Sequence, residues 1–387
     1  MRPMPAPSDR ARHASRGFTL IELMIAVALS SLVGVLIYTV FINQTRAYRA
    51  QADMGSMQQN LRVAMEMLTR DVAVAGWGAG WDGASWGVGG QGAAFAQYGG
   101  AESNPLYSLW VKQDFPGGSG HDAIEILFAD PNRANWAWAM GTPIDCGATS
   151  IAFHADYASQ AGLYDPSNAA AHMICYTPLL RGKPGSFIWE VSGPGTGGQV
   201  PVTTNNQGDF AAECTETLPQ RMICAPARYV AYYIDDDGND GVGIGNEALP
   251  VLYYVPDVFA AMANTGQYPD PNDIPIAMGI EDLQAEICMG GSGVDCQLST
   301  SWSAGFDMQQ TATSWANLTS IRLHVSARTV RPDAERANVS APVDTDPDDG
   351  FSPSGLGNPD GYHRRLATTE VMIRNATGTW QAMNAGW

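Results

Sequence analysis

The N-terminal stretch RGFTLIELMIAVALSSLVGVLIYTVFI, residues 16–42, decides how this chain is organised. From Phe18 to Ile42 it carries one charged residue, Glu22. As a helix, this segment would be roughly 37 Å long at ~1.5 Å per residue, which is enough to cross a bilayer core. Arginines precede it and a strongly acidic remainder follows it, within a net charge of −18. The positive-inside tendency therefore predicts a cytoplasmic N-terminus and a translocated remainder.

Three interpretations compete for this segment. A secretory signal peptide would use Ala26-Val27-Ala28 as its small-residue cleavage site, but the apolar run continues well past Ala28. A plain membrane anchor explains the length and the orientation, but not a carboxylate that costs ~2.5–3.5 kcal/mol at a helix centre. The third interpretation starts from the motif RGFTLIE, residues 16–22, which resembles the class III signal of type IV prepilins.

The resemblance implies a processing step and an assembly step. In that family a peptidase on the cytoplasmic side cuts between the glycine and the aromatic residue and methylates the new amine. We therefore expect cleavage between Gly17 and Phe18, which removes residues 1–17 as a basic leader. In stacked subunits, the Glu22 carboxylate would face the Phe18 amine of a neighbour and neutralise two charges in apolar surroundings. The alternative is that Glu22 snorkels to the lipid headgroups.

The residues after the apolar segment continue the helix. Apolar residues recur at 47, 50, 54, 57, 61, 64, 68, 72 and 75, and these steps of three and four place one apolar stripe on an amphipathic helix. The sequence therefore predicts a helix over residues 18–75, with residues 18–42 transmembrane, followed by a globular head over residues 76–387. The head opens with a segment rich in Gly and Trp, residues 76–100, which has no periodicity and is interpreted as loop.

The head is predicted to be antiparallel and β-rich, which makes the chain α+β: a long N-terminal helix packed on a loop-rich sheet. In residues 318–329 the side chains alternate, so Ile321, Leu323, Val325 and Ala327 are expected to face a core and the four residues Arg322, His324, Ser326 and Arg328 to face solvent. The predicted strands are residues 122–128, 149–154, 172–176, 187–191, 228–234, 251–255, 281–287, 318–329 and 366–374.

Three further stretches look like the PilW branch of minor pilins: LTRDVAVAG (68–76), AMGIEDLQ (277–284) and RRLATTEVMIRN (364–375). The resemblance implies a minor pilin that primes type IV pilus assembly near the pilus tip. Its implied partners are the prepilin peptidase, other minor and major pilins, and the inner-membrane assembly platform. Its implied location is the inner membrane, crossed once by residues 18–42, with the head in the periplasm and later at the cell surface. A minor pseudopilin of a type II secretion system has the same N-terminus and stays an alternative.

Six cysteines all follow the apolar segment. If that part of the chain is exported, an even number of cysteines predicts disulfides. Proximity along the chain favours the pairs Cys146–Cys175, Cys214–Cys224 and Cys288–Cys296 among fifteen connectivities.

An acidic loop, YYIDDDGNDGVGIGNE at residues 232–247, resembles a calcium loop without completing one. Asp235, Asp237 and Asn239 have the spacing of the first three oxygen ligands, but the glycine and glutamate that should follow come one residue late. The sequence favours an acidic hairpin loop, with Ca²⁺ as the alternative; no other cofactor is predicted.

Enzyme and nucleic-acid functions find no support in the sequence. No G-x-S-x-G, H-E-x-x-H, P-loop or C-x-x-C motif occurs, and the six histidines are scattered. The acidic charge repels phosphate backbones, so we expect no nucleic-acid partner. A different class of function is a tip adhesin or ligand-binding head that uses residues 77–100 or the Asp235 region. A membrane-anchored periplasmic enzyme is the third class.

Overall fold

The structure is a computed structural model that describes part of the chain. The described residues are 18–76, 84–85, 106–107, 109–112, 121–130, 137–139, 149–166, 172–180, 183–203, 222–235, 243–244, 247–258, 273–289, 302–304, 318–332 and 362–373.

One helix, α1, spans Leu20–Ala73 and confirms the predicted helix to within two residues at either end. Packing divides the chain at residue 53, inside this helix, into a unit of residues 1–53 and a unit of residues 54–387. In the first unit the helix residues are nearly all exposed. In the second, one stripe is buried, namely Met57, Leu61, Ala64, Leu68, Asp71 and Val72. The spacing of this stripe is the predicted one.

The described strands are short to medium in length and pair only with antiparallel neighbours. In chain order they are Ala84–Ser85 (β1), Leu106–Tyr107 (β2), Leu109–Lys112 (β3), Ala123–Ala129 (β4), Ala137–Ala139 (β5), Ser150–Ala152 (β6), His172–Leu180 (β7), Lys183–Glu190 (β8), Gln199–Pro201 (β9), Met222–Asp235 (β10), Gly243–Ile244 (β11), Glu247–Ala248 (β12), Val251–Val255 (β13), Ile274–Met278 (β14), Ile280–Met289 (β15), Trp302–Ala304 (β16), Leu318–Arg328 (β17) and Arg364–Met372 (β18).

Two sheets organise the head. The larger has the order β14-β13-β10-β4-β3, with β5 and β7 also paired to β10 and β8 paired to β7. The smaller has the order β16-β15-β17-β18. Strand β10 is 14 residues long, and its first half pairs with β5 and β7 while its second half pairs with β4 and β13. It is therefore the strand that both halves of the larger sheet share.

The main core lies where the buried helix stripe meets one face of each sheet. Its sheet residues come from β3, β4, β10, β13 and β14 in the larger sheet and from β15, β17 and β18 in the smaller. Alternate side chains of each strand reach this core, for example Val230, Tyr232 and Ile234 of β10 and Ile321, Leu323, Val325 and Ala327 of β17. Burial of this apolar surface at about 25 cal/mol per Å² is the main stabilising contribution.

A second, smaller hydrophobic core is formed by the part of the chain between β4 and β10. Its side chains come from β6, β7, β8, β9 and a 3₁₀ helix, Ala155–Leu163, together with Cys224 of β10. Its largest buried side chains are Tyr164 and Trp189. The segment between β4 and β10 therefore forms a lobe with a core of its own.

All the strands predicted from the sequence are present, and residues 251–255 are reproduced without a shift. One detail of the prediction is wrong: the polar face of β17 is not a solvent face. His324 and Ser326 are buried, and Arg322 and Arg328 are mostly buried. The physical reason is cross-strand pairing, because Arg322 and His324 meet Glu286 of β15, and Arg328 meets Glu281 and lies over the Tyr362 ring.

Gly279 is the corner at which the chain passes from the larger sheet to the smaller, since it alone separates β14 from β15. Its φ of +76° lies in the left-handed region that favours glycine. Its N–H donates to Pro250 O at 2.7 Å, and its carbonyl accepts from the Arg328 N–H at 2.7 Å. A Cβ added here would lie 2.6 Å from the Arg328 carbonyl oxygen. The corner therefore requires glycine on two separate grounds.

Gly279→Ala should lower the free energy of unfolding by about 2–4 kcal/mol, because backbone strain and a steric clash add together. Gly197→Ala is the matched control, because Gly197 has φ +61° but open space around its Cβ position. It should lose only about 1–2 kcal/mol. Denaturant unfolding of the full chain in micelles measures both variants, and equal losses would contradict the role of the Arg328 contact.

The end of α1 is fastened to the larger sheet by a buried carboxylate. Asp71 lies in the apolar stripe, where its Oδ2 accepts from the Tyr232 hydroxyl at 2.6 Å and its Oδ1 accepts from Arg70 Nε at 2.9 Å. Burial, with a smaller effect of the Asp71 charge, raises the pKa of Tyr232 well above its ordinary value, and the hydrogen bond to Asp71 raises the pKa of Arg70. Tyr232 therefore stays a neutral donor.

Tyr232→Phe should lower the free energy of unfolding by about 1–3 kcal/mol, because it leaves a buried carboxylate oxygen without its donor. Tyr164→Phe is the control: Tyr164 is equally buried, but its hydroxyl has no hydrogen-bond partner among the described residues. Removing that hydroxyl should lower the free energy of unfolding by less than about 0.5 kcal/mol, or should raise it. Thermal unfolding measured in parallel checks the pair, and a larger loss in the Tyr164 variant would refute the argument.

Candidate assembly site at the start of the helix

The first turn of α1 is closed by a reciprocal pair of side chains. Thr19 precedes the first helical residue, Leu20, and the Leu23 N–H makes the first helical bond to the Thr19 carbonyl at 3.2 Å. Glu22 Oε2 accepts from the Thr19 N–H and from the Thr19 hydroxyl, both at 2.9 Å. In return, the Glu22 N–H donates to Thr19 Oγ1 at 3.3 Å. This arrangement is a capping box.

Thr19 is a residue that the sequence analysis left without a role. The signal was present, because a capping box has the pattern S/T-x-x-E and residues 19–22 read Thr-Leu-Ile-Glu. Glu22 is also the one charge in a membrane-length apolar run, and that feature alone does not point to a partner within its own helix. Glu22 therefore has a definite function within its own helix, in addition to any contact with a neighbouring chain.

The surface that follows is apolar and uncovered. Phe18 is 89% exposed, and the large apolar residues after it are all at least half exposed. They are Leu20, Ile21, Leu23, Met24, Ile25, Val27, Leu29, Leu32, Val33, Val35, Leu36, Ile37, Tyr38, Val40 and Phe41. The helix is long and apolar enough to cross a membrane. An apolar surface of this size needs lipid or other protein around it.

Beyond its first turn, the backbone of this apolar segment is hydrogen-bonded within the helix, as a membrane requires. Two of the hydroxyls that interrupt it donate to carbonyl oxygens one turn earlier: Ser31 to Val27 at 2.9 Å and Thr39 to Val35 at 2.9 Å. The polarity of these two hydroxyls is therefore matched within the helix, and Glu22 is the one charged side chain between Phe18 and Ile42.

Of the predicted processing residues, Phe18 lies just before the helix in a non-helical segment, and Gly17 lies outside the described residues. Cleavage between them and pairing of Glu22 with a neighbouring amine both stay predictions.

The predicted disulfide pairing is wrong for two of its three pairs. Cys175 is bonded to Cys224, which excludes Cys146–Cys175 and Cys214–Cys224. The two cysteines lie opposite each other in the register of β7 and β10 and are completely buried. Sheet register, which unites residues 49 positions apart, overrides proximity along the chain. Cys288 is also disulfide-bonded. Its partner is one of Cys146, Cys214 and Cys296, which all lie outside the described residues, so Cys288–Cys296 stays a prediction.

Peptide mapping of the non-reduced chain should find one cross-linked pair containing Cys175 and Cys224. A fragment that joins Cys146 to Cys175 would contradict the register of β7 on β10.

Replacing both Cys175 and Cys224 by Ala should lower the free energy of unfolding by about 3–4 kcal/mol, because the unfolded chain is then no longer constrained by a closed loop of this length.

Of the predicted calcium ligands, the structure describes one. Asp235 is buried at the end of β10, whereas Asp237 and Asn239 lie outside the described residues. In the part of the chain that the structure describes, no group of three or more His, Cys, Asp and Glu side chains is arranged to hold a metal ion. Calcium binding by this loop is not tested by these observations and stays a prediction.

Buried polar clusters in the head act as structural joints. His121 Nδ1 lies 3.1 Å from Asp282 Oδ1, which ties the start of β4 to β15. His324 lies between Glu286, at 3.2 Å from its Nε2, and Thr368, at 3.0 Å from its Nδ1. The hydrogen bond from His324 holds the pKa of the Glu286 carboxyl below its usual range. Each histidine is enclosed by its partners, as in a satisfied core residue.

Comparisons with known proteins agree with the chemistry of the N-terminus. Residues 12–38 match the prokaryotic N-terminal methylation motif. No curated protein matches the chain. Among solved structures, a type IV-like pilin from Thermus thermophilus is similar, with 12% identity and a TM-score of 0.32 over 82% of this chain and 96% of that one. The chain thus carries a prepilin-type signal, followed by a long apolar helix and an antiparallel head.

Proposed function

We propose that this protein is a minor type IV pilin of PilW type that takes part in pilus assembly near the tip. The observation that carries the proposal is the coincidence of two features at one place. The methylation motif covers Gly17, Phe18 and Glu22, and the exposed apolar part of α1 begins directly after the expected cut.

The exposure of α1 supports a subunit that passes from lipid into a helical assembly. The apolar side chains of residues 20–41 have no cover within the chain, while one stripe of residues 57–75 is buried in the head core. Before assembly, a bilayer supplies the apolar surroundings of the first part. After extraction, only similar helices of other subunits supply an equivalent environment. The partners are therefore other pilins, and the assembly platform of the inner membrane is where the exchange takes place.

Glu22 supplies the register of this assembly. Cleavage after Gly17 leaves a cationic amine at Phe18, one helical turn from the carboxylate. In a bundle of apolar helices, an uncompensated charge is strongly unfavourable, so the arrangement that brings a neighbour's amine to Glu22 is preferred over other registers. The chain needs no catalytic group for this function, and we infer that it is not an enzyme.

The stretch at residues 277–284, which looks like that of PilW-type pilins, has a definite structural role. Gly279 makes the corner between the sheets, Ile280 and Leu283 enter the main core, and Asp282 bonds to His121. Its residues are therefore required by the fold of the head. This supports a shared architecture as the source of the resemblance. A minor pseudopilin of a type II secretion system differs in its consequences: deleting this gene would then abolish secretion and leave surface fibres intact.

The experiment is to determine the N-terminal residue and its mass in protein isolated from cells that contain the prepilin peptidase. The expected chain begins with N-methylated Phe18, because the motif places the cut between Gly17 and Phe18. Cells without the peptidase are the control and should yield a chain that starts at Met1.

Two other results would overturn the proposal. A chain that starts at Met1 in both strains would make the segment a plain anchor. A chain that starts at Leu29 would make it a signal peptide cut after Ala28. Deletion of the gene then distinguishes the two roles: loss of surface fibres supports pilus assembly, whereas loss of secretion with intact fibres supports the pseudopilin alternative.

A further inference from the structure

The capping box uses only one of the two carboxylate oxygens of Glu22, the one charged side chain in the apolar segment. Oε2 accepts both hydrogen bonds from Thr19, one from its N–H and one from its hydroxyl. Oε1 accepts no hydrogen bond from any described residue. We propose that Thr19 is a positioning residue for assembly: it holds one oxygen of Glu22 against its own helix end and so presents the other to the amine of a neighbouring subunit. This inference rests on the proposed function.

Thr19 provides an orientation that the glutamate lacks alone. A glutamate side chain has several rotatable bonds, and fixing them on assembly costs conformational entropy. The Thr19 hydroxyl donates to Oε2 while it also accepts from the Glu22 N–H at 3.3 Å, so backbone and side chain are held together. The carboxylate is therefore ordered before a neighbour arrives, which lowers the entropy that must be lost when the subunits meet.

Thr19 also makes the charge tolerable before assembly. At the start of a helix in lipid, the first N–H groups have no helical partner and each unsatisfied group is unfavourable. The capping box satisfies the N–H of residues 19 and 22, and it gives the carboxylate two donors where water is scarce. The hydrogen bonds between Thr19 and Glu22 thus stabilise the monomer in the membrane, and Glu22 Oε1 stays available for the neighbour's amine in the assembled state.

The test compares Thr19→Val with Thr19→Ser in the full, processed chain. Valine keeps the shape of threonine but removes the hydroxyl, whereas serine keeps the hydroxyl. The first readout is amide hydrogen exchange of residue 19 in micelles, since this N–H remains in every variant and is protected only while Glu22 Oε2 is held against it. The second readout is the fraction of the subunit that is recovered in surface filaments, divided by its amount in the membrane.

Thr19→Val should speed exchange of the residue 19 amide about 5-fold, the effect of losing one N-cap hydrogen bond, and should lower incorporation to a similar extent. Thr19→Ser should stay within about 2-fold of the wild type in both readouts. Glu22→Gln gives the reference value for this amide when the charged acceptor is absent.

Three results would overturn the inference. If the residue 19 amide stayed protected in Thr19→Val, Glu22 would be oriented without the threonine hydroxyl. If protection were lost but incorporation into filaments were unchanged, the capping box would serve helix stability only. If Thr19→Ser failed in the same way as Thr19→Val, the hydroxyl would be excluded as the cause. Failure of the proposed function is seen separately, since it changes the N-terminal mass of the wild-type chain before any variant is made.

Discussion

One helix has to satisfy two different environments, and the rest of the structure follows from that constraint. Up to residue 53 the helix is exposed and mainly apolar, and from Met57 to Val72 its apolar stripe is buried. The two stretches have the same backbone but opposite needs. The first has to find its apolar surroundings outside the chain, and the second finds them in the two sheets of the head. The sheets are built around the stripe, because each contributes one face to the core that covers it.

Polar side chains inside this core connect elements that apolar packing alone would leave free to slide. Asp71 bonds helix to sheet through Tyr232, and Asp122 accepts from the Ala285 N–H at 2.9 Å, which joins the start of β4 to β15. An apolar contact is tolerant of direction, whereas a buried hydrogen bond is lost when its partners move apart. These bonds therefore define how the helix and the two sheets meet, and the corner at Gly279 sets where the chain crosses between sheets.

The periodic features of the fold could be predicted from the sequence because periodicity is local. The stripe that includes Leu61, Ala64 and Leu68 and the inward residues of β17 were both predicted and are both observed. Features that depend on distant partners were not. Cys175 finds Cys224 through sheet register, and the polar face of β17 is buried because Glu286 and Glu281 lie beside it. Asp71 is a polar residue on an apolar helix stripe, and the helical periodicity cannot explain its burial without the hydrogen bond from Tyr232. Thr19 was local and recognisable, yet the membrane-length run concealed it.

The order of the strands along the chain determines when the core can close. The helix stripe is made first, but the smaller sheet that covers it is completed by β18, which contains the buried Val371. The lobe between β4 and β10 likewise cannot be cross-linked until residue 224 is available to residue 175. Contacts of such long sequence separation form late, and a nascent chain with its first and last parts still apart leaves an apolar helix uncovered on all sides. Until its last strand is in place, such a chain depends on a bilayer or a chaperone to keep it from aggregating.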